Sequence, residues 1–275
     1  MPEVELSAGT IDYEDTGGDG PPLVFVHGLS DGRHWRKVVA ELRGEYRCVS
    51  PTLPLGSHRR PMRPDADLSL RGMGRILAEF IAAVELDDVT LCFNDWSCGQ
   101  TMVADGLVDR VGRLVFVSCE TGNNYPPGAG GQAVVMATRV PGGLALLRAV
   151  LANPRLRPLP MFYGPMTKRG VPDDLMREWL APLKRPEIRR DFRKYILDVR
   201  QGRRDMRAAT PALARFDRPV LVVWDEEGRM MPNEEGRKLA DAFPDSRLIE
   251  LADCRTLIPE DQPIALAAAI REFAG

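Results

Sequence analysis

The sequence predicts an α/β fold: a doubly wound, mostly parallel sheet carrying an inserted helical cap. Three observations carry that expectation. Compact apolar runs of strand length recur along the chain, apolar on both faces and separated by helical stretches, as in a buried parallel sheet joined by right-handed crossovers. One run passes through a tight turn directly into a helical pattern, over 89–102. The runs at 114–117 and 220–224 are separated by about a hundred residues, far more than one crossover helix uses.

The elements can be justified in order. Val4-Glu5-Leu6 and Ile11-Asp12-Tyr13-Glu14 alternate around Ala8-Gly9-Thr10, which reads as an antiparallel edge hairpin. Apolar runs follow at 23–26, 47–49, 89–93, 114–117, 220–224 and 248–251. Leu70, Met73, Leu77, Phe80, Ile81 and Val84 recur at three- and four-residue spacing, as a helix covering a sheet should. The last helix has Pro259 near its start and an apolar side of Ile264, Leu266, Ala267, Ile270 and Phe273. Helical patterns within the insertion cover 134–152, broken at Pro141-Gly142-Gly143, then 173–183 and 186–199. The expected division is a core of 1–121 and 211–275 with a cap of 122–210.

Composition narrows the function classes. A net charge of -2 supplies no general attraction for nucleic acid or an acidic membrane, so neither is expected as a partner. No apolar run reaches the roughly 18 residues of a membrane span, and Met1-Pro2-Glu3-Val4-Glu5 lacks the features of a secretory signal, so a cytoplasmic protein is expected. Five scattered cysteines suggest free thiols rather than a disulfide framework or a zinc site. Ten basic residues lie between Lys184 and Arg207 against four acidic ones, a run that reads first as a solvated helix face and second as a docking patch for an anion.

The strongest chemical signal is Asn94-Asp95-Trp96-Ser97-Cys98-Gly99. A strand turning sharply into a helix raises one residue at the strand's C-terminal edge, where open α/β sheets bind ligands, and that residue is Asp95. The nearby helix terminus would favour an anion, which predicts an ionised carboxylate. Val26-His27-Gly28-Leu29 ends an earlier strand, so the backbone N–H groups of Leu29 and Trp96 can converge on one oxyanion or leaving group.

These motifs resemble those of the α/β hydrolases of the epoxide hydrolase and haloalkane dehalogenase branch. The resemblance runs through the His27-Gly28 loop, the Asp95 turn, the cap, the strand ending at Trp224 and Pro259-Glu260-Asp261-Gln262-Pro263. It implies the α/β-hydrolase fold, with Asp95 as a nucleophile that attacks carbon to form an ester. In that branch a late histidine, oriented by an acid, activates the water that hydrolyses the ester. Here the three histidines are His27, His34 and His58, so none can take the late position, which falls on Thr256. The acid position falls on Gly228, with Asp225, Glu226 and Glu227 close by in sequence. Glu120 follows the next strand, where some members of the branch carry an alternative acid, and is the expected second catalytic carboxylate.

Other readings of the turn stay open. Ser97 would be the nucleophile in a shifted register, and Cys98 is read as packing. Phe93 departs from the small residue the turn usually requires. Trp96 either stabilises a leaving group through its indole N–H or walls the pocket. His27 is read as structural, and His27, His34, Trp35 and Trp179 are candidates for the pocket wall. Asp253, Arg255 or Thr256 could have been recruited in place of the histidine. Three functions follow: a hydrolase using another base, a non-hydrolytic enzyme such as a cyclase, isomerase or lyase using Asp95 as general acid or base, and a ligand-binding pseudoenzyme. The partner in each case is a small, largely apolar molecule. Gly128, Gly130 and Gly131 read as a cap linker rather than a phosphate-binding loop between strand and helix. No cofactor or metal is expected, and a homodimer is compatible with the sequence.

Overall fold

In the computed structural model, which describes residues 1–275, the hairpin is formed by β1 (Glu3–Leu6) and β2 (Gly9–Asp15). The remaining strands are β3 (Pro22–Val26), β4 (Arg47–Pro51), β5 (Val89–Asp95), β6 (Val111–Cys119), β7 (Val220–Asp225) and β8 (Ser246–Leu251). They make one sheet in the order β1-β2-β4-β3-β5-β6-β7-β8, parallel from β4 onward and antiparallel at the hairpin edge. The chain runs outward from β3 to β4 on one side and returns to β5 on the other. The crevice beyond the ends of β3 and β5 is therefore the topological switch point, the place where such sheets bind ligands.

Successive residues along each strand feed opposite cores. Val24, Val26, Leu91, Phe93, Phe116 and Val222 pack toward α2 (Leu70–Ala83) and α3 (Gly99–Ala104). Leu23, Phe25, Cys92, Val115, Val117 and Val223 pack toward α1 (Arg36–Leu42) and the C-terminal helix. The predicted α2 is capped by Ser69, whose hydroxyl accepts the Gly72 N–H at 3.1 Å.

Five helices lie between β6 and β7: α4 (Gly128–Arg139), α5 (Gly143–Ala152), α6 (Asp173–Leu180), α7 (Pro186–Leu197) and α8 (Val199–Ala209). Ile188, Phe192, Tyr195 and Ile196 form the buried face of α7, as their spacing predicts. Half of the basic run is not free in solvent. Arg185, Arg190 and Lys194 donate to the carbonyls of Arg59, Met62, Pro64 and Ala66, while Arg203 and Arg207 donate to those of Tyr125 and Gly122. Arg185, Arg190 and Lys194 hold the insert to the loop after β4, and Arg203 and Arg207 hold α8 to the segment that follows β6.

Two expectations are corrected. Gly128, Gly130 and Gly131 are not a linker but the first turn of α4, since a Cβ on Gly131 would sit 3.1 Å from the Trp96 ring and only a small residue lets the helix approach it. Pro259 does not open the last helix. It belongs to a one-turn helix, α10 (Ile258–Asp261), and Pro263 opens α11 (Pro263–Ala274) after a break at Gln262; α9 (Asn233–Asp241) precedes β8. No helix is long and apolar enough to cross a membrane.

Candidate active site

Asp95 is the last residue of β5 and takes φ 64°, a left-handed conformation that costs an ordinary residue on the order of 1–2 kcal/mol. That turn lifts its carboxylate toward the β3 loop. Leu29 N–H lies 3.4 Å from Asp95 Oδ2, and the Trp96 N–H also donates to the carboxylate. Gly28 is required between them, because a Cβ there would collide with the Asp95 carboxylate. The two amides expected to converge on an oxyanion thus converge on the acid itself.

Burial outweighs these amides and pushes the Asp95 carboxyl up to about 6. The helix that follows, α3, has only six residues, and burial prevails over the full ionisation expected from its terminus. The acid is ionised at neutral pH but titrates just below it.

Asp95 forms the floor of a cavity of about 90 Å³ between the strand ends and the insert. Its wall is mainly apolar, including Trp96, Leu144, Leu147, Phe162, Phe192 and Met230. Tyr163 and Trp179 also line it. Of the four tryptophans, Trp35, Trp179 and Trp224 donate their indole N–H to Val26 O, Asp31 Oδ1 and Met231 O. The Trp96 indole N–H has no protein acceptor. Burial and the Asp95 charge raise the Tyr163 phenol, which places it within electrostatic reach of that acid.

The other sequence candidates are distributed around this cavity rather than on it. His27 is buried behind the wall, with Nδ1 2.8 Å from Gly28 O and Nε2 accepting the Leu53 N–H at 2.9 Å, and burial pushes it down to about 4. It is a neutral loop brace. His34 and Trp35 also lie behind the wall, so of the four pocket candidates Trp179 alone faces the cavity. Asn94 donates its amide to Val117 O and Thr256 O, at 2.7 and 2.8 Å, leaving Oδ1 to accept from His34 Nε2 at 2.6 Å. The imidazole therefore carries its proton on Nε2, and Nδ1 is left without a partner. His58 lies 3.4 Å from Asp191 Oδ2, where the insert meets the loop after β4.

Glu120 sits behind the turn, fully buried. One oxygen accepts the Ser97 N–H and the other has no partner, and burial raises its carboxyl well above the usual range. It does not reach the cavity wall. Ser97 points the same way, with an unpartnered Oγ, which removes the geometry for the shifted reading. Cys98 is buried and its thiol is raised, as packing requires.

The loops where the resemblance would put the acid and the late histidine are closed by other contacts. Asp225 accepts from Ser118 Oγ at 2.8 Å and from the Gly228 N–H at 2.9 Å, which ties its carboxylate into its own turn. Glu227 pairs with Lys168 and Arg255 on the surface, and Asp253 pairs with Lys168 and Arg169. Thr256 is buried with an unpartnered Oγ1. The unpartnered atoms of His34, Ser97, Glu120 and Thr256 all belong to residues bonded to, or part of, the turn from Asn94 to Ser97. Sequence reasoning missed one wall residue with chemistry, Arg148; its signal was a charge inside the apolar stripe Leu144, Leu147, Leu151.

The sheet order and the raised turn at residue 95 together define an α/β protein of the hydrolase type. Residues 23–269 match the Alpha/beta hydrolase family, and the chain belongs to it. Among curated relatives, Haloalkane dehalogenase 2 of Mycobacterium tuberculosis is 29% identical, the match covering 98% of this chain and 93% of that one. A 2-hydroxy-6-oxononadienedioate/2-hydroxy-6-oxononatrienedioate hydrolase of Dechloromonas aromatica is 25% identical over 89% of this chain and 85% of its own. Among solved structures, a putative ancestral haloalkane dehalogenase superposes with a TM-score of 0.76 at 22% identity, covering 100% of this chain and 99% of the other.

Proposed function

We propose that the protein is an enzyme acting on a small, largely apolar organic substrate of halide, epoxide or ester type, with Asp95 as the nucleophile. The observation that carries this is the Asp95 carboxylate, poorly solvated, fixed by two backbone N–H groups and presented at the floor of an apolar cavity. One oxygen attacks the electrophilic carbon, a carbon–halogen or carbon–oxygen bond breaks, and an ester to Asp95 forms. The Trp96 indole N–H, having no protein acceptor, is available to the departing halide or alkoxide. The helices of 122–210 act as the cap that shapes the cavity, over a core of 1–121 and 211–275.

No side-chain base stands on the wall beside Asp95: Glu120 and Asp225 are tied into other contacts, and Thr256 is buried off the wall with its hydroxyl unpartnered. The ester therefore outlasts the displacement step. Incubating the protein with alkyl halides and epoxides, then taking peptide mass spectra of wild type and Asp95→Asn, tests this. An adduct on Asp95, absent from the variant, supports it; neither adduct nor turnover across a broad panel overturns it.

A second reading is favoured by the same acid. A carboxyl held near pH 6 in an apolar site suits general acid or base work in an isomerisation, cyclisation or elimination, which needs no water. Product formed without solvent oxygen, in water labelled with heavy oxygen, selects this alternative.

A further inference from the structure

Arg148 is the one positively charged side chain on the cavity wall, where Asp95 is the one negatively charged. It lies on α5 in register with Leu144, Leu147 and Leu151, at the i+4 position of an i, i+3, i+7 stripe that faces the cavity. Arg148 is partly exposed and interrupts an otherwise apolar stripe. Its hydrogen-bonding capacity is unused: Arg148 makes no hydrogen bond and no ion pair, whereas Arg157, further along the insert, is paired with Asp173. Nor does it serve Asp95, whose ionisation is governed by burial and by the amides of Leu29 and Trp96, with no cationic contribution. The cavity thus has an anion at one place, an unmatched cation at another and apolar surface between.

We propose that Arg148 is the specificity-determining residue that takes a carboxylate on the substrate, so that the preferred substrates are short apolar chains with an electrophilic carbon at one end and a carboxylate at the other. This rests on the reading of Asp95 as the group that meets the electrophilic end. The chemistry is complementary in both directions. A guanidinium accepts a carboxylate through two parallel N–H donors, and seating the anion there keeps it away from the like charge of Asp95. A substrate held at both ends presents a fixed carbon to the nucleophile.

The test uses ligands that cannot react. Hexanoate and its neutral counterpart hexanamide are titrated calorimetrically into wild type, Arg148→Gln and Arg148→Lys at low salt, after confirming that each variant keeps the wild-type melting temperature. Wild type is expected to favour hexanoate by about tenfold, the magnitude of one partly exposed charge-assisted contact. Added salt should shrink that preference, Arg148→Lys should retain part of it and Arg148→Gln should abolish it. Equal binding of the two ligands by wild type, or a preference that survives Arg148→Gln, overturns the proposal. Because neither ligand carries a leaving group, this result is independent of Asp95. Alkylation by ω-bromohexanoate and bromohexane then completes the separation. A hexanoate preference without any adduct on Asp95 removes the nucleophile reading and leaves Arg148 as an anion site; an adduct formed equally fast from both bromides removes the Arg148 reading and leaves Asp95.

Discussion

The side-chain amide of Asn94 donates to the main-chain carbonyl of Thr256 at 2.8 Å, so the residue where the resemblance expects a histidine is bonded directly to the residue before Asp95, the proposed nucleophile. That contact sets the distance between the turn and the late loop without any triad. Thr256→His is expected to place an imidazole at the site of the unpartnered Thr256 hydroxyl. The expected outcome is conversion of a persistent Asp95 ester into repeated turnover, measured as product released per protein molecule. Overpacking should lower stability by about 1–3 kcal/mol. A variant that folds, forms the adduct and still releases nothing would show that geometry at 256 is insufficient.

Asp95 makes activity and stability oppose each other. Its native carboxyl is pushed up to about 6 from the ordinary aspartate value of 3.8, so between those pH values the native state holds more proton than the unfolded chain. Stability therefore falls as pH rises through this window, by up to about 3 kcal/mol. The alkylation rate should rise through the same window and level off above it. Asp95→Asn should melt several degrees higher than wild type at neutral pH, with the difference vanishing toward pH 4; equal melting curves at both pH values would contradict the burial of this charge.

Glu120→Gln should leave the alkylation rate unchanged. Burial raises this carboxyl well above the usual range, so its charge is disfavoured in place, and a glutamine oxygen can accept the Ser97 N–H instead. Glu120→Ala leaves that buried N–H without an acceptor and should cost about 1–3 kcal/mol, read from denaturant unfolding. A large loss of rate in the glutamine variant would make Glu120 a participant.

Trp96→Phe removes the indole N–H that lacks a protein acceptor while keeping an aromatic wall. Alkylation by alkyl bromides should slow by about 10²-fold, the scale of one donor to a developing charge, with binding of a neutral, unreactive alkane analogue changed little. Equal rates in both proteins would reduce Trp96 to a wall.

Much of the sheet was legible because each strand from β3 to β7 is buried on both faces, which turns a spatial fact into an unbroken apolar run. The turn at Asp95 was legible for a related reason, since strand, turn and helix are contiguous in sequence. What could not be read depends on contacts between distant segments. The bonds that place His34 and Thr256 around Asn94 span 60 and 162 residues, and no local pattern encodes them. His34 and Trp35 fell behind the wall for the same reason. Arg148 shows a different limit. Its stripe is visible in the sequence, but α5 is apolar on more than one side, with Leu146 68% exposed, so periodicity alone does not choose the face that meets the cavity. The glycines at the start of α4 read as a linker by composition, and only the packing on Trp96 explains a helix there.

The cations that moor the insert have partners of an unusual kind for charged groups. Arg185, Arg190, Lys194, Arg203 and Arg207 all donate to main-chain oxygens. An amide oxygen has no proton to gain at ordinary acidity, so these attachments have no titration curve of their own. Mild acid that discharges Asp95 therefore leaves these five attachments in place. Protons can thus reach the chemistry without loosening these particular ties on the container.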